Sequence, residues 1–504
     1  MFPNNRSDEW NWVHNFLAIQ FILQLLLLVP ILGAIRPIFR VATFGLSIYL
    51  VISNISQRGI KHPAKVSVCS IFLILFTSLF FNSHLNTIPA GVAQIAMYLA
   101  ILGPIFWASK IFLSVQGFRN LVTILWLFQS MSSFFGLLQI YFPEQFQFQL
   151  SSVIQNSTYG GENLKIILSN GLSIYRPMGL TDTPGSAAVA GFYTVLLGLA
   201  FFLESKNWWL KGLGILSSFV GFFCIYLSQV RIMLITTCVC VSILLVILFW
   251  SKNFKRAFAL LGIIQPLIVG TFAWAIAVGG KSTEARTLSL FAGSTDQIYQ
   301  QNRGHFFQET IDVLLPQYPF GAGLGRWGMM NSYFGKNGNP FTDLIWVEIQ
   351  WTGWLLDGGV PLIIAYCLAI GSVCYFAFKT AFRKQMGTLP IWSAVIFAYN
   401  MGTILITFNY PVFISQTGME FWLLNTALIV AVMTESWRVR NQYLLAGETT
   451  PPLMIEGARP RMRIPNKYLL AGNTTPPLMI EGDTTPLLMI EGERPKMRDP
   501  DENQ

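Results

Sequence analysis

Apolar residues recur along the chain in twelve long runs, with cores near 14–35, 38–56, 64–82, 87–108, 119–142, 186–204, 208–228, 231–250, 257–279, 357–378, 387–407 and 411–433. A helix needs about 20 mostly apolar residues to cross a bilayer. The pattern therefore predicts an all-α polytopic membrane protein of about twelve transmembrane helices. The runs that meet at Arg36–Pro37, and those that meet at Gln229–Arg231, read either as two spans or as one broken helix. The first run, from Phe16 to Ile35, is long enough to span, and no cleavable signal peptide is evident.

The segments between runs set an orientation. One alternate set of loops carries Arg58, Lys61 and Lys65; Lys110 and Arg119; Lys206 and Lys211; Lys252, Lys255 and Arg256; and Lys379, Arg383 and Lys384. The other set has two loops with no Lys or Arg, near 82–89 and 409–410. Lys and Arg concentrate in cytoplasmic loops, so the first set and both termini are expected inside. Arg36 and Arg40 fall on the opposite side from this rule. Two long loops, about 143–185 and about 280–356, are then external, the larger lying between spans 9 and 10. Within it Phe306–Leu315 has a helical apolar face of Phe307, Ile311, Leu314 and Leu315.

The membrane domain accordingly covers 1–437, and 438–504 forms a cytoplasmic tail. The tail repeats itself: NQYLLAGETTPPLMIEG, NKYLLAGNTTPPLMIEG and DTTPLLMIEG follow one another. Pro-Pro and Thr-Thr-Pro disfavour helix. The repeat reads as a tandem duplication in a disordered tail or as a short array for a tail-binding partner.

Composition supports the membrane reading. Hydrophobic types make up 53% and charged types 11%, against about 25% charged in soluble domains. The net charge of +9 would suggest nucleic acid in a soluble protein. Here the basic residues sit in short loops, so no nucleic-acid partner is expected. All six cysteines fall inside apolar runs, where they read as small buried hydrophobes.

Candidate chemistry lies in the external loops. Arg176 opens a segment running through Gly179 to Gly185, just before the sixth span. Arg231 follows Leu227-Ser228-Gln229-Val230, Arg303 opens the amphipathic segment, and Arg326 follows a Gly321/Gly323/Gly325 run. Guanidinium groups hold phosphate or pyrophosphate through a planar fork that keeps its charge. Each arginine alone reads rather as an interfacial anchor or an ion-pair partner; Arg176, Arg231 and Arg303 taken together bring the phosphate reading level with it. The glycine run reads as a tight turn rather than a nucleotide cradle, because no Gly-Lys-Ser or Gly-Lys-Thr ending follows. Glu348, near Trp346, Trp351 and Trp354, is a candidate base whose apolar setting would raise its pKa, or a solvated loop acid. His305, the only histidine in a long external loop, is the second candidate base. Asp357, before two glycines, reads as a cap of the tenth span. No His/Cys/Asp/Glu grouping suggests a metal, and no cofactor is expected.

These motifs, in this order, resemble the O-antigen ligase and O-antigen polymerase (Wzy-type) superfamily of bacterial membrane glycosyltransferases. The likeness covers roughly 170–375 with motifs: Arg176-Pro177-Met178-Gly179 through Pro184; Leu227-Ser228-Gln229-Val230-Arg231; Arg303 sixteen residues before Pro319-Phe320-Gly321-Ala322-Gly323; and Asp357-Gly358-Gly359. Ligases of the family carry a His-Asn pair about nine residues before that final acid. Here the position holds Glu348, which leans the likeness toward a polymerase or a divergent branch of the family.

The resemblance implies a metal-independent enzyme of the bacterial plasma (inner) membrane. Its donor would be an undecaprenyl-pyrophosphate-linked glycan and its acceptor a second glycan, with polysaccharide-export or chain-length partners in exopolysaccharide, capsule or O-antigen synthesis. Arg176, Arg231 and Arg303, with Arg326, would hold the pyrophosphate. Glu348 or His305 would take the acceptor proton. An O-antigen ligase is the nearest alternative. A transporter of a polar substrate is the alternative from another class; nearly charge-free span interiors and the lack of symmetric halves speak against it.

Overall fold

The computed structural model describes residues 11–57, 59–148, 150, 164–289, 299–336, 347–383 and 386–445. Among them are twelve helices of 15 residues or more: α1 (Trp12–Leu26), α2 (Arg36–Ser53), α3 (Lys65–Phe81), α4 (Ile88–Trp107), α5 (Val115–Tyr141), α6 (Ser186–Glu204), α7 (Trp208–Ser228), α8 (Arg231–Trp250), α9 (Phe254–Leu288), α10 (Gln350–Ala381), α11 (Leu389–Ile406) and α12 (Gln416–Leu445). Each overlaps one predicted apolar run. Nine of them, α4 to α12, are long and apolar enough to cross a membrane; α1, the apolar part of α2, and α3 are shorter. The chain is thus an all-α, multi-pass membrane protein. Polar caps start several helices: Thr87 accepts from the Ala90 amide, Ser114 from Gly117 and Asn207 from Trp209.

Burial separates centre from rim. In the most apolar window, 83% of both α6 and α12 is buried, against 22% of α9. Helix α12 packs among α4, α5, α10 and α11, and α6 among α5, α7, α8 and α11. The α6–α7 interface is the most extensive in the bundle, and its sequence explains why. Gly191 and Gly198 face Gly221 and Gly214; a Cβ on Gly198 would lie 2.6 Å from the Gly214 carbonyl oxygen. Removing the side chains lets the backbones touch, the usual route to tight packing where lipid offers no hydrophobic gradient.

The helices alternate in direction, so the connections fall at two ends. Contacts within each set confirm this. At one end Gln24 Nε2 donates to the Leu180 carbonyl at 3.2 Å, Asn82 Nδ2 to Gly321 at 2.9 Å, and Phe307 lies 5.4 Å from Phe408. At the other, Lys110 Nζ donates to Asn54, Arg119 pairs with Glu204 at 3.3 Å, and Arg256 Nε donates to Leu203. The basic loops expected inside share that second end. Arg40, which broke the charge rule, lies at the first end and is ion-paired with Asp182. Its charge is met by the protein rather than left in a solvated loop.

Four expectations are corrected. The loop expected at 280–356 is invaded from both sides, because α9 continues to Leu288 and α10 begins at Gln350. Glycines in left-handed conformation make this possible: Gly280 (φ 61°, ψ −158°) and Gly359 (φ 67°, ψ −160°) bend the two helices without ending them. Asp357 is consequently not a cap but lies within α10, fully buried. Span interiors are also less free of charge than the hydropathy implied, since Asp357 and Glu420 are both buried in helices. Finally, the segment near 306–315 is helical and keeps Phe307, Leu314 and Leu315 half-buried, but Ile311 is 43% exposed and the one buried side chain of the segment is Thr310. Wide i→i+5 turns at Gln300–Gly304 and Thr310–Leu314 interrupt the 3.6-residue register that the expected face assumed.

A short hairpin, β1 (Lys165–Ile167) and β2 (Ser173–Tyr175), was not anticipated. Its Ile166 and Ile174 pair across the strands and pack with Ile140, Phe223, Leu227 and Ala275 of α5, α7 and α9. Helix α12 continues through Leu445, so the start of the first repeat extends the last helix. The remaining repeats lie outside the described residues, as does Trp346.

Candidate functional site

The segment opened by Arg176 is gripped from below by α5. Gln139, fully buried, accepts from the Met178 and Gly179 amides at 2.7 and 3.0 Å and donates to the Gly179 carbonyl at 2.9 Å. Ser132 Oγ accepts from the Leu180 amide at 3.0 Å. Gly179 has φ +65°, and a Cβ there would sit 2.4 Å from Ser132 Oγ. Three polar atoms on one apolar helix thus fix the backbone that carries Arg176.

Arg231 is positioned by a break. Gln229 adopts a left-handed conformation (φ 53°, ψ 27°) between α7 and α8, rare for a residue with a side chain. Its amide nitrogen donates to Ser282 and Thr283 at 3.3 and 3.2 Å, tying the break to the part of α9 beyond Gly280. Arg231 Nη1 donates to Ser289 at 3.0 Å. Arg286, on that same part of α9, faces Arg231 across a cleft lined also by Tyr226, Gln229, Leu234 and Thr287.

Arg176 closes the group. Its Cδ and the Val230 side chain flank Gly185. Burial, then the positive charges of Arg286 and Arg231, lower its pKa to about 10. Among the described residues, neither Arg176 nor Arg286 has an ion-pair partner. The Nε atoms of both are shut off from solvent and make no hydrogen bond there. Three half-buried guanidinium groups so close repel one another, and an anion of several oxygens would relieve that repulsion.

The other predicted residues lie elsewhere on the same end. Arg303 is ion-paired with Glu348, and burial lowers its pKa from the ordinary value. Two residues to which the resemblance gives separate roles are thus partners. His305 is exposed, and its ring lies 3.9 Å from that of Phe306 at a tilt of 40°. Arg326 donates to the Ala322 carbonyl at 3.1 Å within the glycine-rich segment. That segment is pinned by Asn82 to Gly321 and by Asn86 to Gly325, and Gly323 lets it press against the His84 backbone. Asp357 anchors it too, accepting from Trp327 Nε1 at 2.9 Å, Gln94 Nε2 at 2.9 Å and Tyr98 Oη at 2.6 Å. Among the described residues, no three His, Cys, Asp or Glu side chains come together as metal ligands would.

The sequence singles out Arg176 and Arg231, which the structure places near one another, but not Arg286 beside them, Gln139 beneath Arg176, or the buried Glu420. Gln139 and Glu420 were visible as polar interruptions of apolar runs. Arg286 was hidden because nothing in the pattern shows α9 continuing past Gly280. The chain matches no protein-family model and no curated protein.

Proposed function

We propose that the chain is a membrane glycosyltransferase of the O-antigen polymerase or ligase type, joining undecaprenyl-pyrophosphate-linked oligosaccharide units on the outer face of a bacterial plasma membrane. The observation that carries this reading is a cleft lined by Arg231 and Arg286, with Arg176 within electrostatic reach of both. Its support is chemical: a pyrophosphate supplies the multiple anionic oxygens that three guanidinium groups call for. On this reading all twelve helices span, the arginine end is external, and the basic loops are cytoplasmic.

The acceptor hydroxyl attacks the anomeric carbon of the donor sugar. The bond from that carbon to the pyrophosphate oxygen breaks, and undecaprenyl pyrophosphate leaves as an anion. The arginines offset the charge that develops on the leaving oxygen. The hydroxyl proton passes to a base, and Glu348, held by Arg303, is the first choice, with His305 second.

A transporter is the second reading, because Asp357 and Glu420 are acids buried within helices, as ion-coupling residues often are. Glycan analysis of cells lacking the protein separates the possibilities. Accumulated single repeat units identify a polymerase, and full-length polymer left unattached identifies a ligase. Unchanged glycans overturn the proposal and leave the transporter.

A further inference from the structure

Helix α9 is broken at Gly280, and the break is wedged open. The hairpin turn enters it: the Ser169 amide and Oγ both donate to the Val278 carbonyl, at 3.2 and 2.8 Å. A Cβ on Gly280 would lie 2.9 Å from the Ser169 Cα, and the φ of +61° would strain any other residue. Beyond the break, Ser282 and Thr283 are held by Gln229. These contacts turn the last two turns of α9 over the junction of α7 and α8. A straight α9 would carry Arg286 away from it. The bend instead presents Arg286 opposite Arg231, in electrostatic contact with both Arg231 and Arg176. Its Nε is buried and has no hydrogen-bond partner among the described residues. Leaving a buried donor unmade is costly, and placing it beside two like charges adds to the cost.

We infer that Arg286 is a third anion-holding side chain of the cleft, brought there by the glycine break in α9 and kept there by the hairpin. The inference rests on the pyrophosphate reading of the cleft. A single phosphate or carboxylate is satisfied by one or two guanidinium groups; three arginines in one electrostatic neighbourhood suit a diphosphate, whose two phosphoryl groups carry more anionic oxygens.

The test is calorimetric binding of inorganic pyrophosphate to the full chain in detergent. Arg286→Gln should weaken binding by roughly ten- to a hundredfold, the loss expected for one charge-assisted hydrogen-bonding group. Arg286→Lys, which keeps the charge, should fall between it and the unaltered protein and covers the case where Arg286→Gln does not fold. Gly280→Ala should weaken binding as well, by displacing the segment that carries Arg286. Arg176→Gln serves as the reference. If Arg176→Gln loses binding while both Arg286 variants bind as the unaltered protein does, Arg286 has no such role and the cleft stands. If the unaltered protein does not bind, or Arg176→Gln binds normally, the pyrophosphate reading itself falls and Arg286 with it.

Discussion

Arg303 and Glu348 form an ion pair between the wide-turned helical segment and the start of α10. The pair orients both side chains and makes them one unit. In a transfer assay with lipid-linked donor, Arg303→Gln and Glu348→Gln should each lower the rate by about 10²–10⁴-fold, as expected for loss of a general base or its positioning partner. The double variant should be little worse than either single one, because residues acting as a unit are not additive. Multiplying effects would show two independent roles. A normal rate in Glu348→Gln would move the base to His305, tested by His305→Ala.

The arginine cleft calls for planar, bidentate donors rather than charge alone. Arg176→Ala and Arg231→Ala should abolish polymer formation while the protein still inserts and accumulates. Arg176→Lys and Arg231→Lys should rescue poorly, since an ammonium cannot reproduce the fork. Full activity in the lysine variants, measured in cells and on purified protein, would reduce the cleft to a patch of surface charge.

Packing of α6 on α7 depends on its glycines. Gly221→Val should lower the apparent Tm in detergent by an amount corresponding to roughly 1–3 kcal/mol, as overpacking does, because a Cβ there meets the Gly191 carbonyl oxygen at 2.7 Å. Gly212, on the same helix, has open space around it. Gly212→Ala should be neutral, and equal losses from both would locate the effect in the helix itself rather than the interface.

His62 makes stability depend on pH. It lies between α2 and α3, buried, with a pKa lowered to about 3 by desolvation. Its Nδ1 accepts from the Ala64 amide at 3.2 Å, which leaves the neutral ring to donate from Nε2 to Thr426 at 3.3 Å. The unfolded chain takes up a proton near pH 6.5 and the folded chain does not. The stabilisation is therefore present above pH 6.5 and is lost progressively as pH falls toward 3. At pH 5 the loss should be about 2 kcal/mol. Melting curves at pH 7.5 and 5 check this; an equal drop in His62→Gln would assign the pH dependence to other groups.

Much of this architecture was legible in the amino-acid order because lipid imposes one simple rule. Each membrane crossing must be a helix whose surface is apolar, so the runs at 186–204 and 231–250 mark α6 and α8 almost to the residue. Lys and Arg then divide the loops into two sets, and the structure gathers each set at its own end. Arg176 and Arg231 were visible for the related reason that a cation beside an apolar run is conspicuous.

The rest was decided by contacts between residues far apart in the chain. Whether Gly280 ends α9 or bends it depends on Ser169, more than a hundred residues earlier. Arg286 joins the cleft only because that bend exists. Asp357 could be taken for a cap until Trp327, Gln94 and Tyr98 converged on its carboxylate. Glu348 could be taken for an isolated acid until Arg303 met it. Local hydropathy sets which segments enter the membrane, because transfer from water is a property of each segment alone. Which polar groups meet is a property of pairs, and tertiary packing alone determines it.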